Sequence, residues 1–202
     1  MRRADFVLLG ARGGAAVALG SVASGLVAER AIAGPTASVP LTDMDLAVAR
    51  LAVGAEILAG AFYTQAIAAK KLGRAEHGYL GRALLNEQEH LKTVSEIISG
   101  AGQTPSTVDD FTITFPKGAF DSAGAIAKLG RELETTFVGL YLGAVDAFGP
   151  PDLKTTAARI AASEAQHLSV FGELNANRPV GISFPVPLDL ETASDLLDPY
   201  LS

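Results

Sequence analysis

Glu87-Gln88-Glu89-His90 and Glu164-Ala165-Gln166-His167 are the same Glu-x-x-His phrase, 77 residues apart, and together they take two of the three histidines in the chain. On an α-helix, residues i and i+3 share one face about 5 to 6 Å apart, so each pair offers a carboxylate and an imidazole to a single ion. With 11 glutamates in the chain, chance places Glu three residues before two of three histidines on the order of one time in a hundred. Working outward extends the repeat. Glu56 corresponds to Glu134 and Tyr63 to Tyr141, each 78 residues apart, and a turn absorbs the one-residue difference. Seven residues is nearly two helical turns, which puts Tyr63 on the Glu56 face and Tyr141 on the Glu134 face.

The segments that carry these residues have helical periodicity. Thr42 and Asp45 form a capping-box pattern at the start of a helix over about 43–72, with apolar Leu46, Leu51, Val53, Ile57, Phe62 and Ile67, and Gly73 as its stop. A second helix is expected over about 75–99, ending at Gly100. A third starts after a cap at Asp121 or Ser122 and runs to about Phe148, and a fourth covers about Asp152 to Asn175 after Gly149-Pro150-Pro151. Between the second and third lies a stretch of different texture, Ala101 to Gly118, in which Phe111-Thr112-Ile113-Thr114-Phe115 alternates as an extended segment would. Short, long and short connections predict an all-α four-helix bundle made of two helical hairpins and a long crossover. The bundle spans 43–176, after a linker at 34–42. A Pro-rich tail over 177–202 includes a short helix through Leu196-Leu197 that would lie over the bundle.

Chemistry selects among the acidic residues. Glu56 sits in Val53-Gly54-Ala55-Glu56-Ile57-Leu58-Ala59, and Glu164 follows Ile160-Ala161-Ala162, so both fall where the core should be. Burying unpaired carboxylates is expensive, and such groups otherwise take up protons. Four glutamates and two neutral imidazoles sum to −4, which two divalent ions neutralise. Glu89 and Glu132 point away from their neighbours and read as solvated. His77 lies outside the repeat and reads as a surface residue.

With these residues in view, the chain resembles the ferritin-like superfamily, and specifically the exported bacterial ferritin-like domain proteins with a twin-arginine signal. The resemblance covers about Asp43 to Asn175. It implies a dinuclear site in which Glu56 and His90 are terminal ligands of one ion, Glu134 and His167 of the other, with Glu87 and Glu164 bridging. Tyr63 and Tyr141 are candidates to hydrogen-bond these ligands. Only one nitrogen per ion suits iron or manganese better than copper.

The N-terminal 33 residues read differently. Arg2 and Arg3 precede Phe6-Val7-Leu8, Gly13 to Ala28 is mildly apolar, and Ala31-Ile32-Ala33 has the small-x-small form of a cleavage site. This is the pattern of a twin-arginine export signal, and it predicts a protein that meets the twin-arginine machinery and acts outside the cytoplasmic membrane. Its apolar centre is too short and glycine-rich to favour a retained membrane anchor. Without residues 1–33 the remainder has 12 Lys+Arg against 20 Asp+Glu, net −8, a surface that does not seek nucleic acid. The chain has no cysteine, so disulfides and iron–sulfur clusters are excluded, and with Met1 and Met44 its only methionines a methionine-ligated haem is not expected. The expected partners are therefore two divalent ions, Fe or Mn, with O2 or peroxide. The resemblance implies ferroxidase, peroxide-consuming or related oxidoreductase chemistry. The competing class is a non-enzymatic envelope or stress-associated protein with a structural metal site. A homo-oligomer is compatible with the sequence, and glycines at 54, 60, 139 and 143 suggest close helix approach or simple compositional bias.

Overall fold

Thr42 opens the bundle through reciprocal bonds with Asp45. The Asp45 N–H donates to the Thr42 hydroxyl at 3.1 Å and the Thr42 N–H donates to the Asp45 carboxylate at 2.8 Å, an arrangement that stabilises a helix start by about 1 kcal/mol. The computed structural model describes residues 40–176 and 178–202, and the expected export signal at 1–33 lies outside them. From the cap runs α1 (Asp43–Ala68), followed by α2 (Arg74–Gly100), α3 (Ala123–Ala147), α4 (Pro151–Ala176) and α5 (Leu190–Leu197). Ser122 caps α3 through a bond from the Ala125 N–H. Pro151 opens α4, where its missing N–H costs nothing. The chain is all-helical among the described residues, as the sequence patterning predicts.

Two hairpins, α1 with α2 and α3 with α4, make the most extensive helix contacts; α1 packs on α3 less extensively, and α2 on α4 less again. α1 ends four residues before the expected Leu72. Lys70 takes a left-handed conformation (φ 53°), and Gly73 serves as the extended N-cap of α2 instead of stopping α1. α1 is long and apolar enough to cross a bilayer. Here that apolarity faces protein on nearly every side, from Val48 to Ala66, as expected for a helix at the centre of a bundle.

The crossover 101–122 carries a short 3-10 turn at Val108–Asp110 and then the extended stretch. Ile113 forms an antiparallel bridge with Leu201, the Thr114 N–H donates to the Tyr200 carbonyl at 3.0 Å, and the Ser202 N–H donates to the Thr112 carbonyl at 3.2 Å. The chain's end thus pins the crossover to the bundle. Beneath it Phe62 is fully buried and meets the rings of Phe115, Phe120 and Phe171 at centroid distances of 6.3, 6.0 and 5.7 Å. At the other end of the bundle, the Gly149 N–H donates to Asp45 at 2.8 Å and ties the α3–α4 turn to the start of α1.

The glycines of α3 have two uses: Gly130 lets the Phe171 ring of α4 pack against the helix, and Gly139 and Gly143 receive the tail. Leu188 of the tail lies directly on Gly139 and Gly143, and a Cβ at Gly143 would overlap the Leu188 carbonyl, whereas a Cβ at Gly60 would meet nothing within 4 Å. Two substitutions separate these cases in urea unfolding. Gly143→Ala is expected to destabilise the fold by about 1–3 kcal/mol because tail backbone must move. Gly60→Ala is expected to stabilise it by about 0.5–1 kcal/mol through helix propensity alone.

Candidate metal centre

Each helix of the four-helix core brings inward what its sequence register dictates: Glu56 from α1, Glu87 and His90 from α2, Glu134 from α3, and Glu164 and His167 from α4. The four glutamates are 0–2 % exposed. They meet the imidazoles in two sets that share two members. His90 Nδ1 lies 2.9 Å from Glu164 Oε1, 3.3 Å from Glu87 Oε2 and 3.7 Å from Glu56 Oε2. His167 Nδ1 lies 2.8 Å from Glu87 Oε1, 2.9 Å from Glu164 Oε2 and 3.9 Å from Glu134 Oε2. Glu87 and Glu164 therefore each turn one oxygen to each histidine, while Glu56 belongs to the His90 half and Glu134 to the His167 half.

Both tyrosines reach across the bundle. Tyr63 of α1 donates its hydroxyl to Glu134 of α3, and Tyr141 of α3 donates to Glu56 of α1. Each tyrosine thus serves the glutamate of the other hairpin. Burial raises both phenol pKa values well above the ordinary range, Tyr63 next by the charge of Glu134 and Tyr141 next by that of Glu56, so both hydroxyls stay protonated and act as donors.

The metal-free protein must divide its protons unequally. Burial pushes the Glu56 and Glu134 carboxyls well above the usual carboxylate range, reinforced by the charges of Glu87 and Glu164. Burial acts on Glu87 in the same direction, but the adjacent His167 and His90 rings prevail and hold it down to about 2. Desolvation would neutralise the histidines, yet the surrounding carboxylates outweigh it and raise His90 to about 12 and His167 to about 9. Even so, one oxygen of every glutamate is buried without a hydrogen-bond partner: Glu56 Oε2, Glu87 Oε1, Glu134 Oε2 and Glu164 Oε1. Two of these, on Glu87 and Glu164, lie within 3 Å of an imidazole nitrogen but out of line for a hydrogen bond.

Those orphaned oxygens test whether the residues fit a pair of ions. Buried polar atoms are nearly always satisfied, and a set of unpartnered acceptors converging on shared space is what cations satisfy. The donor atoms of Glu56, Glu87, His90 and Glu164 all lie within 4.8 Å of one another, as do those of Glu87, Glu134, Glu164 and His167. Each set offers three carboxylates and one imidazole, an oxygen-rich environment for a hard divalent ion.

Asn86 is a contact that periodicity does not reveal. Its side-chain amide lies 3.0 Å from His167 Nε2, across from α2 to α4. The contact is made by the Asn86 amide nitrogen and holds the ring at Nε2, which leaves Nδ1 to face the carboxylates. The same side of the site opens into a cavity of about 170 Å³ lined by Tyr63, Ala83, Asn86 and His167, with Tyr79 and Arg82 also in its wall. Other acidic and basic candidates stay outside. Glu132 is exposed and meets Lys128 at 4.0 Å, Glu89 is exposed, and exposed His77 approaches only the Ile67 carbonyl, at 3.3 Å.

A bundle of two hairpins whose four core helices converge on paired carboxylate–imidazole sets defines a ferritin-like protein with a cluster suited to metal. The chain belongs to the ferritin-like domain family, whose profile matches residues 44–177. A comparison with curated proteins finds no match.

Without metal, the tyrosines are the only neutral donors to the outer glutamates among the described residues. Tyr63→Phe and Tyr141→Phe are each expected to lower the stability of the metal-free protein by about 1–3 kcal/mol, because each leaves a second buried carboxyl oxygen without a donor. Thermal melts of chelator-treated protein measure this, and an unchanged melting temperature for both variants would contradict the hydrogen-bond assignment.

Proposed function

We propose that this chain is an exported dinuclear iron or manganese protein with ferroxidase, peroxide-consuming or related oxidoreductase activity. The observation that carries the reading is the pair Glu87 and Glu164, each of which divides its two oxygens between His90 and His167. In this reading, Glu56 with His90 and Glu134 with His167 would hold one ion each, and the two central carboxylates would serve both. When bound, two redox-active ions supply one-electron exchange with O2 or peroxide. The chain's residues do the rest. Four carboxylates set the charge, Tyr63 and Tyr141 keep the outer two from rotating, Asn86 orients His167, and the apolar core excludes bulk water. Export through the twin-arginine route would carry the bundle already folded, so that its metal is chosen before it leaves the cytoplasm.

Loading must displace protons, and its direction with pH follows from the pKa values. At neutral pH the metal-free protein holds protons on His90 and His167, whose pKa values stand at about 12 and about 9, whereas an imidazole that binds metal must be neutral. Binding is therefore expected to release at least about two protons per chain, and apparent affinity is expected to rise with pH, less steeply above about 9, where His167 is already neutral and His90 is not. Calorimetric titration of Mn(II) in buffers of different ionisation enthalpy measures the release.

The alternative is a structural metal site in a non-enzymatic envelope or stress-associated protein, and the near-complete burial of the four glutamates favours it. The cavity beside Asn86 and His167, and a His90 side chain 13 % exposed, favour access by small molecules. Stopped-flow addition of Fe(II) and O2 to metal-free protein separates the readings. The wild type is expected to bind two ions and develop ferric absorbance, with Glu87→Ala slower by at least about tenfold; equal traces would rule out ferroxidase activity at this site.

A further inference from the structure

The tail between Arg178 and Leu188 is built as an arch. At one end the Arg178 N–H donates to the Gly172 carbonyl at 3.0 Å, and at the other the Leu188 N–H donates to the Gly139 carbonyl at 2.9 Å. Both feet stand where only glycine leaves room, on Gly172 of α4 and on Gly139 and Gly143 of α3. Between the feet no other backbone hydrogen bond ties residues 179–187 among the described residues. Pro179, Pro185 and Pro187 stiffen the span, which limits the entropy lost when it is covered.

What the arch displays is apolar. Val180, Ile182, Phe184 and Val186 alternate along it, and all four are exposed, Val180 at 88 % and Phe184 at 89 %. Between the arch and the α3–α4 face lies a cavity of about 550 Å³, with Val138, Leu168, Leu188 and Leu196 in its wall beside Arg131 and Arg178, cations that also suit the face of an aromatic ring. Phe184 does not line this cavity; it projects beside it. Soluble chains seldom leave a contiguous apolar patch of several hundred Å² uncovered unless it is an interaction site.

We propose that this face is the interface of a symmetric dimer, in which Phe184 of each copy enters the arch cavity of the other. A two-fold interface requires one patch to be complementary to itself, and here a projecting ring and a hollow of matching chemistry stand side by side. The extent is suitable as well. Phe184 offers most of the roughly 150–250 Å² of an aromatic side chain, and Val180, Ile182 and Val186, which line the cavity mouth, extend the face toward the ~800 Å² per partner of a stable interface. The chain's net charge of −6 argues against an anionic lipid surface as the occupant. It also sets a sign: two copies of like charge joined through apolar surface should associate more tightly as salt screens their repulsion.

Sedimentation equilibrium of the full chain tests this at low salt and at about 0.5 M salt. The expected result is a monomer–dimer equilibrium that tightens with salt, weakened at least about tenfold by Phe184→Ser and unchanged by Val108→Ser, a substitution of another exposed apolar residue, on the crossover. Neither side chain supports the core, so matching thermal melts are expected. A chain that stays monomeric to about 100 μM, association insensitive to Phe184→Ser, growth beyond the dimer, or Phe184-dependent partition onto phosphatidylcholine vesicles in place of self-association would each overturn the proposal.

Discussion

Four carboxylates buried together in the middle of a helical bundle are the constraint on which the rest of this structure depends. An apolar core holds few charges, and here it surrounds four acids with only two imidazoles and two phenols to answer them. In the metal-free chain that imbalance is met by keeping protons on Glu56 and Glu134 while Glu87 gives its charge to the two imidazolium rings. The arrangement is self-consistent but incomplete, since an oxygen of each glutamate still lacks a partner. A core of this kind makes sense as one half of a complex with cations, and the family to which the chain belongs is consistent with that reading.

The same constraint explains why the hairpins cannot stand alone. Each contributes one outer glutamate, one central glutamate and one histidine, yet the tyrosine that satisfies an outer glutamate always comes from the opposite hairpin. Central carboxylates likewise contact the histidines of both α2 and α4. Half of the repeat would leave its acids without donors in an apolar interior, at a cost of several kcal/mol. The crossover, held by the Ile113–Leu201 bridge and the Phe62 aromatic cluster, returns the chain so that the second hairpin can complete the first.

Most of the bundle was legible in the sequence because its information is local. Helical spacing, a capping box at Thr42 and Asp45, and Pro151 after a glycine turn each fix an element without reference to the rest. The set Glu56, Glu87, His90, Glu134, Glu164 and His167 was legible because the chain writes it twice, and register alone then directs all six to one place. Asn86 was not, since a residue about 100° round the helix from Glu87 points to solvent on a lone helix; only the packing of α2 against α4 brings it to His167. Gly139 and Gly143 were ambiguous for a similar reason. What they accommodate is the tail, whose path depends on contacts between residues far apart in sequence. The end of α1 was missed because Gly73 serves equally as a stop for one helix and a start for the next.

The duplication is close but not symmetric, and the difference falls on the histidines. Ser163 stands in α4 where Asn86 stands in α2, 77 residues apart, and a hydroxymethyl group is shorter than a carboxamide. Consequently His167 is fixed through both ring nitrogens and lies edge-on to Tyr63 at 5.9 Å. His90 contacts the cluster through Nδ1 alone, and among the described residues its Nε2 has no partner. Two half-sites with the same donors thus differ in how firmly an imidazole is held. A ring oriented from both sides loses less freedom when it takes a ligand than one held from a single side, so residues that match in sequence are unequal in the strength with which they can hold an ion.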